Sequence, residues 1–129
     1  LAEVTKLLGD NKIDISALSI ADKTDYGILR LIVNKPEEAE KVLKEKDFAV
    51  SITTVIAIAV ADRPGGLSEA LSVLRDANIG IEYMYAFVGK ASNEAMVILR
   101  VDDPDVDEAV SLLVKSGIKV LPPDFIYNL

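Results

Sequence analysis

The stretch Asp62-Arg63-Pro64-Gly65-Gly66-Leu67 gathers more potential chemistry than any other part of this sequence. It joins an apolar run to a helix-like pattern. Pro64 fixes one backbone angle, while Gly65 and Gly66 permit a tight turn and let another group approach the main chain. The helix that follows starts with unpaired amides and the positive end of its dipole, a ready site for a carboxylate. The competing reading is a plain strand-to-helix turn in which Asp62 caps its own loop amides. The loop residues alone leave both open.

What is missing narrows the chemistry further. The chain has no Cys, hence no thiolate nucleophile and no Cys-ligated metal. It has no His, the commonest general base and transition-metal ligand. Asp102, Asp103, Asp105, Asp107 and Glu108 crowd a helix start, where negative charge is favourable, without the spacing of a calcium loop. No catalytic residue, metal or cofactor is therefore expected. A net charge of −7, from 21 acids against 14 bases, has the wrong sign for a phosphate-backbone binder. The longest apolar run, 55–61, falls well short of the roughly 20 residues that span a bilayer. The opening residues show no basic region followed by an apolar stretch. A cytoplasmic location is expected, with neither nucleic acid nor membrane as partner.

The elements that must hold the loop come in duplicate. Leu1, Glu3, Leu8, Asp10, Ile13 and Ile15 recur in order as Leu67, Glu69, Leu74, Asp76, Ile79 and Ile81. Val33 and Pro36 recur as Val101 and Pro104, then Ala39 and Leu43 as Ala109 and Leu113. Matches that drift only by small insertions mark an internal repeat. In the later copy, 55–60 reads as a strand. Leu67, Ala70, Leu71 and Leu74 have helical spacing. Alternation from Ile79 to Val88 and apolar continuity from Ala95 to Val101 predict a hairpin around a polar turn at 89–93. Asp102-Asp103-Pro104 opens a second helix that closes at Gly117, and a last strand begins at Ile118. The earlier copy gives helix 1–11, strands 13–21 and 27–34, helix 36–46 and a strand from Phe48.

The expected fold is α+β: two ferredoxin-like βαββαβ units, each an antiparallel sheet with helices on one face. The first unit takes 1–54 and the second 55–129. The first strand of unit one is absent from the given sequence, and by the repeat's arithmetic about a dozen further N-terminal residues are expected. Apolar residues on both faces of 55–60 and 96–99 predict that the sheet face away from the helices is covered as well. Tyr83, Tyr85 and Phe87 share one strand face and are expected to be mostly core.

Taken together, the 62–67 loop, the helix after it and Ala77-Asn78-Ile79-Gly80-Ile81 resemble the start of the ACT domain family. The resemblance runs through both copies and is similar to small stand-alone proteins made of two such domains. It implies a non-catalytic regulatory module that binds a small ligand, commonly an amino acid, at the interface between ACT-like units. It also implies a homo-oligomer, a dimer, and a separate biosynthetic enzyme as the regulated partner. Carried over, the ligand-binding residues are Asp62, Arg63, Pro64, Gly65, Gly66 and Leu67, with Asn78, Gly80 and Asp14 around the second strand. The Gly65, Gly66 and Leu67 amides would take the ligand carboxylate, and Asp62 or Asp14 the ammonium group. Second-strand positions that often hold Asn in amino-acid-binding members are Gly80 and Asp14 here. Two alternatives stand beside this: a structural oligomerisation module without ligand, and an acylphosphatase-like small hydrolase using Arg63 and Asn78.

Overall fold

Helical spacing and strand alternation become ten regular elements and one 3-10 turn among residues 1–22, 27–88 and 93–122, which the computed structural model describes. The turn expected at 89–93 lies outside them except for Asn93. The chain divides into two compact units.

The unit containing Leu1–Thr53 holds α1 (Ala2–Asp10), β1 (Ile15–Asp22), β2 (Gly27–Val33) and α2 (Pro36–Glu45). β1 and β2 form an antiparallel hairpin. Leu8, Ile13, Val33, Ala39 and Leu43 make its core, with Phe48 and Val50 packed against it. The strand expected from Phe48 is not formed. Among the described residues the equivalent strand in the other unit pairs only with that unit's opening strand, and here β2 pairs with β1 alone. Phe48 keeps its place in the core without a ladder to join.

The unit Thr54–Pro122 is a complete βαββαβ: β3 (Ile56–Ala61), α3 (Gly66–Asp76), β4 (Ile81–Val88), β5 (Glu94–Val101), a 3-10 turn (Asp103–Asp105), α4 (Val106–Lys115) and β6 (Lys119–Val120). The antiparallel sheet runs β4-β5-β3-β6, so the opening strand is interior, with Ile58 opposite Val97 on one side and Val120 on the other. Ile56, Ile58 and Val60 meet Val97, Leu99 and Val101, and Ala70, Leu74, Ala109 and Leu113 from both helices close over them. Ala57, Ala59 and Ile98 point to the opposite face and are still buried, at 4, 8 and 1% exposure. Both faces at the sheet's centre are therefore closed, which is why β3 is apolar throughout.

The duplication extends to the backbone. Each helix stops on a left-handed residue: Lys12 (φ 59), Asp47 (φ 66), Asn78 (φ 60) and Gly117 (φ 82). The next residue's amide then reaches back to the same kind of acceptor. Ile13 donates to the Leu8 carbonyl (2.9 Å), Phe48 to Leu43 (3.1 Å), Ile79 to Leu74 (2.9 Å) and Ile118 to Leu113 (2.9 Å). These are four Schellman closures, each with an apolar residue sealing the helix end.

The tyrosines depart from expectation. A register shift between Ile81 and Tyr83 puts Ile81 and Met84 against the core. Tyr83 and Tyr85 are left half-buried on the other face, stacked at 6.3 Å and 8°. One extra residue in the strand reverses a simple count of alternation.

Candidate ligand-binding loop

The 62–67 loop leaves the end of β3 and is pinned there by its own backbone. The Asp62 amide donates to the Asn93 carbonyl at 2.7 Å, at the start of β5, and the Arg63 amide to the Ala61 carbonyl at 2.9 Å. The Gly66 amide donates to the Arg63 carbonyl at 3.0 Å. Gly65 caps α3 in the left-handed region at φ 87, a conformation that costs glycine nothing. Gly66 is buried, and a β-carbon on it would run into the Ala61 carbonyl oxygen. Each glycine thus answers a separate steric demand of the turn.

That turn fixes which amides remain available. No side chain caps α3. Gly66 has spent its amide inside the loop, and Glu69 donates to Gly65 at 3.1 Å. Among the described residues the Leu67 and Ser68 amides have no backbone acceptor, as expected for the first turn of a helix. Ser68 is the residue the sequence pattern did not bring forward. Counting the orphan amides from the helix start, rather than from the glycines, finds it.

Asp62, Arg63, Pro64 and Gly65 are exposed, while Leu67 packs against the core. Arg63 reaches over the first turn to Glu69, Nη2 to Oε1 at 2.6 Å. Asn78 is the left-handed residue that ends α3, its amide on the Arg75 carbonyl at 2.9 Å. The 11 residues of α3, roughly 16 Å, separate it from Arg63. The structure does not bring Arg63 and Asn78 together.

Gly80 is also placed apart from the loop of its own unit. β3 and β4 are both antiparallel to β5 and so run in the same direction. The loop follows the end of β3, beside Glu94, whereas Gly80 precedes the start of β4, beside Val101. Gly80 is exposed, with open space where a β-carbon would stand. Asp14, its counterpart, directly precedes β1 and is exposed. Asn34 holds its backbone from both sides: the Asp14 amide donates to Asn34 Oδ1 at 2.9 Å, and the Asn34 amide to the Asp14 carbonyl at 3.2 Å. Within the second unit the loop and the second-strand start therefore stand at opposite ends of the sheet. A surface groove lined by Glu3, Lys6, Leu7, Asp10 and Lys46 contains none of these residues. No helix among the described residues is long and apolar enough to cross a membrane.

A family model for an ACT domain pair matches residues 1–120. The crystal structure of protein BT0572 from Bacteroides thetaiotaomicron superposes with a TM-score of 0.90 at 38% identity, covering 99% of this chain and 86% of that one. An aspartokinase, solved with its alpha and beta subunits, superposes with a TM-score of 0.58 at 17% identity, covering 90% of this chain and 81% of that one. That second likeness is one of fold. No curated protein matches the chain.

Proposed function

Since the chain belongs to the ACT domain family as an ACT domain pair, we propose that it is a non-catalytic regulatory module that binds an amino acid. The ligand sits between the 62–67 loop of one ACT unit and the second-strand start of another. Its carboxylate meets the Leu67 and Ser68 amides at the positive end of α3. Its ammonium group pairs with Asp62 or with Asp14. Binding favours one arrangement of the paired units, and the chain, acting as a dimer in the cytoplasm, passes that preference to a separate biosynthetic enzyme.

One observation supports this reading: a loop pinned by its own backbone leaves two helix-start amides, Leu67 and Ser68, without a backbone acceptor among the described residues, and the same loop carries an exposed carboxylate, Asp62. A zwitterion needs both charges met at once. The hydrolase reading loses its footing, because Arg63 is engaged by Glu69 and Asn78 lies at the far end of α3.

A thermal-shift screen against the amino acids tests it. A ligand at a hundred times its dissociation constant adds about 2.7 kcal/mol, and the melting temperature then rises by on the order of ten degrees. A response to one amino acid or a close pair is expected. Silence across the whole panel sinks the ligand and leaves a structural oligomerisation module.

A further inference from the structure

The chain passes from the first unit to the second between Thr53 and Thr54. Val50 still packs against the core of the first, and Ile56 already lies in the core of the second. Residues 51–55 join the two cores, and Ser51, Ile52, Thr53 and Thr54 are all exposed. The ladder of β3 with β5 begins only at Ile56, opposite Leu99. Arg100 reaches back beyond that point: its Nη1 donates to the Thr54 carbonyl at 2.9 Å. Two other elements hold the same guanidinium. Asp103, in the 3-10 turn, accepts from Nη1 at 2.9 Å, and Glu82, on β4, faces Nε at 3.5 Å. The Arg100 side chain is 12% exposed, and a charge taken this far from water is costly unless partners meet it. The hairpin does not demand it. At the same place the first copy carries Ile32, buried and opposite Ala17, as Arg100 lies opposite Tyr83. An arginine where an isoleucine serves the hairpin is explained by what it grips.

We propose that Arg100 anchors the joint between the two units: by holding the Thr54 carbonyl it fixes the far end of the joint and leaves 51–53 as its free length. Partners from three elements converge on one planar fork, so the hold is directional as well as charged. Hinges are a few loop or element-terminal residues that absorb changes in backbone angle. Here a side chain, rather than the strand ladder, sets where the hinge stops. Release of Arg100 returns Thr54 and Val55 to it. The anchor belongs to the fold and holds with or without a ligand.

Backbone nitrogen-15 relaxation of the full chain, with the melting temperature of each variant, tests this. In the wild type, order parameters at Thr54 and Val55 are expected to match the rigid backbone of β3, about 0.85, with the drop confined to 51–53. Arg100→Ile, which installs the residue of the first copy, takes Thr54 and Val55 below about 0.6 while Ile58 and Val97 stay rigid. Arg100→Met, which keeps the stem and has no donor, decides by the same reading where Arg100→Ile does not fold. A mobile Thr54 in the wild type overturns the anchor, and so do order parameters at Thr54 and Val55 that neither variant changes. A lower melting temperature with Thr54 as rigid as before assigns Arg100 to the stability of the hairpin alone and also overturns it.

Discussion

At the scale of single residues, Gly66 is the position where fold and function cannot be separated. A β-carbon added there would strike the Ala61 carbonyl oxygen, and that oxygen already accepts the Arg63 amide that shapes the loop. Gly66→Ala is therefore expected to cost about 1–3 kcal/mol, as other forced overpacking does, and to abolish the ligand response with it. Urea denaturation gives the first quantity and thermal shift with ligand the second. A variant of wild-type stability that still responds would contradict the loop geometry described here. The glycine pair was legible as a turn from composition alone, but the free amides were not. Which amide is spent depends on how the turn closes, and here it is Gly66 that is used and Ser68 that is left. Asn78 shows the reverse case. Its residue type suits ligand chemistry, yet its place is explained by a left-handed helix end, where Asn is tolerated.

At the scale of elements, Arg100 ties the second unit together. Its side chain, 12% exposed, donates to the Thr54 carbonyl just before β3 at 2.9 Å, pairs with Asp103 at the helix-side turn at 2.9 Å, and meets Glu82 on β4 at 3.5 Å. Asp102 shares a hydrogen bond with Glu82, and together with some desolvation and the Asp102 charge it raises the Glu82 pKa; Arg100 pulls the other way. A raised carboxyl pKa means that the folded chain holds the proton more tightly than the unfolded one. The resulting stabilisation is full below the unfolded-state value and fades as pH rises through the folded value. Glu82→Gln should remove that fading, so relative to the variant the wild type loses stability as pH rises from the ordinary glutamate range through the raised folded value. Urea midpoints at several pH values measure the gap, and a constant gap would count against the shared proton. None of this cluster was visible in sequence, because a charged residue inside a strand does not announce its cross-strand partner. The same blindness misplaced the tyrosines: one bulge residue at Glu82 moved Tyr83 and Tyr85 off the core face. The strand expected at Phe48 failed for a related reason, since its ladder depends on a neighbour and not on its own residues.

At the scale of the whole molecule, the duplication was the most legible property, because two copies of one pattern constrain each other. Leu8 and Leu74, Ile13 and Ile79, and Leu43 and Leu113 recur in sequence and then recur again as the acceptors and donors of the helix closures. Fold class and interior first strand followed from that pattern. Function did not follow from it, since the copies differ where chemistry would lie: Asp14 against Gly80, Ser16 against Glu82, Ile32 against Arg100. The central claim is that an amino acid is held by the start of α3 and by a second-strand start from another unit. The direct measurement is an amide-resolved NMR titration of the full chain with the amino acid selected by thermal shift. Saturable shifts at Leu67 and Ser68 together with Asp14, following one binding curve, are the predicted result. Shifts confined to residues remote from both places, or saturation at Leu67 and Ser68 with Asp14 unmoved, would contradict it.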